Sequence, residues 1–287
     1  MTRDFNTFSF KKLTREQMQD AYLNEILLRF VHISDTHISP DPEYNEYDGP
    51  FPARLGAETL VREVNALPFT PDFILHTGDI AYDPEEAAYT AARDILGRLK
   101  QPVHYLVGNH DDRAALQRVM TGAEPHAPYD YEFEVNGVQV VCVDTNMVAR
   151  PNAGGGVTDD QLAWLRARTE KADDRPLIIA AHHNVLPIGS YFWDTFMRLY
   201  NGEAFHQAVL PARARLRGVF FGHVHMATET YRDGILYSSV NSSWYQLHCY
   251  PGQEEVREDR NALPGFNVVT ITRSQTFIRR HYFTVKP

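Results

Sequence analysis

Apolar residues recur along the chain in short runs, at 28–33, 73–76, 103–107, 138–143, 177–181, 219–221, 235–240, 266–272 and 277–283, each of strand length. Between the earlier runs, at 53–67, 84–99, 111–120 and 159–171, apolar positions return every three to four residues, the period of a helix with one buried face. The last of these stretches opens with Thr158 and Gln161 at capping-box spacing and continues with Leu162 and Leu165 on one side. Strand, helix and strand in alternation predict an α/β protein. The final three runs are separated only by turns, as antiparallel strands are, so the pattern predicts mixed sheets rather than a purely parallel one.

No internal repeat or low-complexity linker divides the sequence, so residues 28–287 read as a single domain. Residues 1–27 read as a partly helical N-terminal extension, because Thr14, Glu16 and Gln17 precede Met18, Ala21, Tyr22 and Ile26 at amphipathic spacing. The 287 residues are 43% hydrophobic and 23% charged, enough apolar matter for one substantial core. A formal charge of −9 counts against a surface that grips a nucleic-acid backbone, so no nucleic-acid polymer is expected and a small phosphate compound fits better. Cys142 and Cys249 are too few for a disulfide framework and read as free thiols. No stretch has the length of a secretory signal core or a bilayer span, which makes the cytoplasm the expected address and excludes a membrane partner.

The chemistry sits where the runs end. Asp35-Thr36-His37 follows the first, Gly78-Asp79 the second and Gly108-Asn109-His110-Asp111 the third; His182-His183 follows the fifth, and Gly222-His223-Val224-His225 the sixth. In open α/β sheets the ligand crevice lies beyond the carboxyl ends of the strands, so these loops are expected to meet at one rim. Carboxylates, imidazoles and an amide oxygen, without a thiolate, suit borderline and harder divalent cations. Two such cations sharing a carboxylate would clamp the attacking and leaving oxygens of a displacement at phosphorus.

This ordered set resembles the signature of the calcineurin-like metallophosphoesterases, most closely the class III cyclic nucleotide phosphodiesterases. The resemblance extends over about residues 29–225 and also touches Asp160-Gln161-Leu162-Ala163-Trp164-Leu165 and Leu263-Pro264-Gly265-Phe266. It implies a four-layer α/β/β/α sandwich with two mixed β-sheets, and two metal ions drawn from Mn, Fe or Zn. Asp35, His37 and His225 would hold one metal, Asn109, His182 and His223 the other, with Asp79 bridging. His110 matches the histidine that binds the substrate phosphate and stabilises or protonates the leaving oxygen. The activity implied is that of a cyclic nucleotide or glycerophospho-type diesterase, hydrolysis of a small phosphodiester such as a 3′,5′-cyclic nucleotide by a metal-bridging hydroxide. A phosphomonoesterase with the same ligands, or an interaction domain that has lost catalysis, are the alternatives.

Other residues carry weaker signals. Asp111 is expected to orient a neighbouring histidine. His183 stands where the family often has His-His-Pro, whereas this chain continues His183-Asn184-Val185-Leu186-Pro187, and a substrate contact is one reading of it. His32, His76 and His104 lie inside strand-like runs and read as hydrogen-bonded core residues. Gly154-Gly155-Gly156 reads as a hairpin tip, with a phosphate nest as the sharper alternative. Tyr191, Phe192, Trp193, Phe196 and Tyr200 read either as core or homodimer packing, or as a wall that stacks on a nucleobase.

Overall fold

A computed structural model describes residues 25–45, 49–147 and 153–286. The helical reading of residues 14–26 lies outside them except at its end, where Ile26 opens the first strand. In chain order the elements are β1 (Ile26–Ile33), α1 (Ala53–Asn65), β2 (Phe73–His76), α2 (Glu86–Leu96), β3 (Val103–Tyr105), α3 (Arg113–Leu116), β4 (Tyr131–Val135) and β5 (Val138–Cys142). There follow α4 (Asp159–Thr169), β6 (Leu177–Ala180), α5 (Gly202–Val209), β7 (Leu216–Phe220), β8 (Glu229–Arg232) and β9 (Ile235–Ser238). A small ribbon of β10 (Leu247–His248) and β11 (Arg257–Glu258) precedes the closing hairpin of β12 (Gly265–Thr272) and β13 (Thr276–Tyr282).

One sheet has the order β13-β12-β1-β2-β3 and the other β4-β5-β6-β7-β9-β8. In the first, β1, β2 and β3 run parallel while β12 and β13 pair antiparallel at one side. In the second, β5, β6, β7 and β9 run parallel and the edge strands β4 and β8 are antiparallel. Side-chain alternation then sorts the residues of each strand into different layers. Leu28 and Phe30 of β1 meet Val140, Ile178 and Phe220 between the sheets. Val31 and Ile33 of the same strand pack against Leu60 and Ala92 of the first helical layer. Val141 and Ile179 pack on Leu162, Leu165 and Phe205 of the second. The protein is therefore a four-layer α/β/β/α sandwich with two mixed sheets.

Between the sheets Phe30 stacks on Phe73 at 5.0 Å and meets Phe220 edge-on at 5.2 Å. Both cysteines are free and buried, and burial pushes the Cys142 thiol up to about 12, so it is inert at neutral pH. Among the described residues no helix is long and apolar enough to cross a membrane.

The pattern reading departs from the structure at the C-terminal strands. The run at 235–240 does not join the closing hairpin. It supplies β9, which lies parallel to β7 in the other sheet, while β12 and β13 return to β1. The segment between β9 and β12 is no turn: it carries the β10–β11 ribbon and crosses from one sheet to the other.

Candidate metal centre

Parallel strands put the carboxyl ends of β1, β2 and β3 on one rim and those of β6 and β7 on the facing rim, and the motifs follow each of them. His37 Nε2 and His225 Nε2 face each other 3.0 Å apart, with Asp35 Oδ1 3.6 Å from the latter. His182 Nε2 lies 3.0 Å from Asn109 Oδ1. Asp79 Oδ2 stands between the groups, 3.8 Å from His37 Nε2 and 3.4 Å from His182 Nε2. The His223 ring lies 5.0 Å from that of His182. The seven side chains expected from the sequence are thus brought together.

The backbone is bent to deliver them. Asp35, His37, Asp79, His223 and His225 all have positive φ, between 45° and 69°, a conformation that costs a residue with a Cβ and recurs at functional sites. Gly108 must be glycine for a different reason: a Cβ there would overlap the Asp79 carboxylate and backbone. Carbonyl acceptors fix the rings. His182 Nδ1 donates to Thr77 O at 2.7 Å, His225 Nδ1 to Tyr245 O at 3.0 Å, and His223 Nε2 to Met197 O at 2.9 Å. Each bond sets a tautomer; in His182 and His225 it turns Nε2 towards the centre, and in His223 it leaves Nδ1 as the nitrogen available to a ligand.

Deeper partners hold the loops. His76 Nε2 is 3.0 Å from the Thr36 hydroxyl and its Nδ1 accepts from Gly78 N, so this imidazole ties the first two motifs together. His32 bonds Thr77, and Ser242 Oγ donates to Asp35 O at 2.7 Å. Asp111 does not orient a histidine. Its carboxylate accepts from the backbone N–H of Ile80, Ala81 and Gly108 and from the Tyr89 hydroxyl, stapling the Asp79 loop to the Asn109 loop.

The polar atoms of the centre fit a cation. His182 and His225 have each spent their Nδ1–H on a carbonyl, and what they point at is carboxylate, amide oxygen or another imidazole nitrogen. A pocket of converging acceptors with few donors is completed by positive charge. Burial, reinforced by the Asp79 charge, pushes the Asp35 carboxyl up. Burial works the same way on Asp79, but the imidazoles of His182, His110 and His37 overcome it and hold that carboxyl well below its usual range. Burial keeps His37 and His223 well below, and His225 at about 4, hence neutral and ligand-competent. His182 is the exception: burial presses it down, yet Asp79, Asp35 and the Thr77 carbonyl lift it to about 9.

Other expected residues fall around this centre. His110 N donates to Asp79 Oδ1 at 2.8 Å and its Nδ1 donates to Tyr82 O at 3.0 Å, which leaves Nε2 for the adjoining cavity. That cavity, about 370 Å³, is bordered by the polar His37, Asp79, Asn109, His110, His223 and His225 and by the apolar Phe192, Trp193, Met197, Leu247 and Val256. The aromatic segment therefore divides: Phe192 and Trp193 form wall, whereas Tyr191, Phe196 and Tyr200 are exposed.

His183 is fully buried, its Nδ1 2.8 Å from Thr145 Oγ1 and its Nε2 3.1 Å from Ala153 O. Both nitrogens are hydrogen-bonded, yet one of them lies with ring nitrogens of His182 and His223 in a group close enough to share a metal ion, and its ring is 4.6 Å from that of His223. Gly154, Gly155 and Gly156 are buried against it and are not an exposed hairpin tip, because a Cβ on Gly155 would overlap the His183 ring. Thr145, Met197 and Tyr245 had no signal in the sequence: two of them act through backbone carbonyls, which any residue possesses.

Residues 28–227 match the family model for calcineurin-like phosphoesterases. The chain is 32% identical over 196 residues to a 3′,5′-cyclic adenosine monophosphate phosphodiesterase of Pseudomonas aeruginosa, covering 68% of each. It is 29% identical over 211 residues to a glycerophosphodiester phosphodiesterase of Enterobacter lignolyticus, covering 71% of this chain and 74% of the relative. A dimetal phosphatase from Danio rerio shares the fold, with a TM-score of 0.62 at 15% identity over 88% of this chain and 98% of that one.

Proposed function

Because the chain belongs to the calcineurin-like phosphoesterase family, whose members are metal-dependent hydrolases, we propose that it hydrolyses a small phosphodiester, with 3′,5′-cyclic nucleotides the favoured class. The observation that carries this reading is the meeting of Asp35, His37 and His225 with Asn109, His182 and His223 around the Asp79 carboxylate, beside a cavity large enough for a small organic phosphate. Relatives named as diesterases at 29% and 32% identity favour a diester over a monoester.

In this reading Asp35, His37 and His225 hold one cation, Asn109, His182 and His223 a second, and Asp79 both, the ions being Mn, Fe or Zn. Bound there, such ions supply Lewis acidity and lower the pKa of a water at the site. The chain's own share is positioning and proton transfer. His110, whose Nδ1–H is held by the Tyr82 carbonyl, acts as an imidazolium: its Nε2–H bonds a phosphate oxygen and passes to the leaving oxygen as that departs, leaving the neutral ring. Asn109 offers its amide to the same phosphate. His183 acts as a prop behind His223. Phe192, Trp193 and Met197 exclude water from one side and receive the organic group.

The test is a comparison of bis(p-nitrophenyl) phosphate with p-nitrophenyl phosphate, using protein loaded with Mn²⁺. The diester is expected to have the higher kcat/KM; a clear preference for the monoester makes the protein a phosphomonoesterase. Turnover of neither, with no metal uptake, identifies an interaction domain.

A further inference from the structure

The lining of the reaction cavity contains two polar atoms that the fold leaves without hydrogen-bond partners, one of them on Trp193, whose ring packs edge-on against His223 at 5.2 Å. The indole Nε1–H of Trp193 is buried and makes no hydrogen bond among the described residues. The same holds for Glu258 Oε1, whereas the other oxygen of that carboxylate accepts from Arg260 Nε at 3.1 Å. Both side chains border the cavity. Buried polar groups are nearly always paired, because an unmet donor or acceptor forfeits its water bond and gains nothing in return.

Glu258 is positioned by the ribbon. It stands directly opposite Leu247 in the β10–β11 pair, so the two side chains share a face, and both border the cavity. Leu247 N donates to His225 O at 3.1 Å, fastening the ribbon to the loop that carries the candidate ligand. A carboxylate here works against binding an anion. Its presence is offset by a ligand that brings a hydrogen-bond donor to it. Trp193 asks for the opposite, an acceptor, and lies in a turn whose Met197 carbonyl also holds His223.

We infer that Trp193 and Glu258 read the base of the substrate, Trp193 Nε1–H donating to a ring nitrogen and Glu258 accepting from the neighbouring exocyclic amino group. The occupant this fits is a nucleobase edge with an amino donor beside a ring-nitrogen acceptor, as in adenine. The remaining wall of Phe192, Met197, Leu247 and Val256 suits the flat apolar body of such a base and suits a bare glycerol poorly. This inference rests on the diesterase reading and gives its site a specificity. Small side-chain adjustments on binding bring the two buried atoms to the ligand.

The experiment measures kcat and KM of the Mn²⁺-loaded protein for 3′,5′-cyclic AMP and for the 3′,5′-cyclic phosphate of purine riboside, which lacks the amino group. Bis(p-nitrophenyl) phosphate reports diesterase activity separately. A site that pairs with an amino group rejects the analogue lacking it by about tenfold or more in kcat/KM. In Glu258→Met, which has a similar length but no oxygen acceptor, that ratio is expected to fall to within about twofold, through KM. Trp193→Phe, judged at equal metal content, is expected to raise KM for both purine substrates. Wild-type protein that treats the two purines alike, or a Glu258→Met ratio equal to wild type, overturns the base-reading role. Failure on bis(p-nitrophenyl) phosphate and both cyclic nucleotides, by contrast, removes the diesterase reading itself and the inference with it.

Discussion

At the cavity floor His110 differs from the imidazoles around it, since its Nδ1 is committed to a carbonyl outside the centre and its ring is only partly buried. His110→Ala is therefore expected to keep metal content near wild type while kcat falls on the order of 100-fold or more; wild-type turnover would remove its catalytic role. Gly155 is tested by stability instead. Gly155→Ala drives a methyl into the His183 ring and should cost about 1–3 kcal/mol, read as a lower denaturant midpoint. An unchanged midpoint would show that this packing yields freely. At this scale the sequence was informative wherever a side chain does the work, as with Asp35, Asp79 and His182. It was silent where a carbonyl does, as at Thr77, Met197 and Tyr245, and misleading at Asp111. That residue carries a competent carboxylate, spent on backbone N–H groups whose positions depend on tertiary structure.

Helix α4 shows what local sequence can specify. Thr158 Oγ1 accepts from Gln161 N at 3.2 Å and the Gln161 side chain accepts from Thr158 N at 2.9 Å, the reciprocal box that the spacing predicts. Thr158→Ala is expected to lower stability by about 1 kcal/mol in a urea titration, with metal binding unaltered, because the helix packs outside the second sheet. No measurable loss would mean the cap is replaced by solvent. Elements missing from the pattern reading have physical reasons. β4, Tyr-Glu-Phe-Glu-Val, alternates as a half-buried edge strand should, but its acidic positions break the apolar run. β8 is an edge strand with alternate residues exposed, and β10 and β11 are too short for any periodicity. The stretch at 111–120 reads as one helix. The structure caps it at Asp112, whose carboxylate accepts from Ala115 N at 2.7 Å, and widens it to a π-helical turn over Gln117–Thr121.

For the whole molecule, the sandwich places two rims of parallel strand ends face to face, and each contributes part of the acceptor set. β1, β2 and β3 deliver Asp35, His37, Asp79 and Asn109; β6 and β7 deliver His182, His223 and His225. Assignment of strands to sheets was the least legible feature, since β9 and β12 are neighbours among the apolar runs yet lie in different sheets. Convergence of the motifs was nonetheless readable, because it depends on strand ends and not on sheet order. The central claim, that these rims jointly hold a pair of cations through Asp79, is tested most directly by elemental analysis of purified protein after Mn²⁺ loading and removal of free metal. Wild type is expected to retain close to two equivalents per chain, and Asp79→Ala, folded by circular dichroism, to retain well below one. Wild-type protein without bound metal, or an Asp79→Ala protein that still holds both, would contradict it.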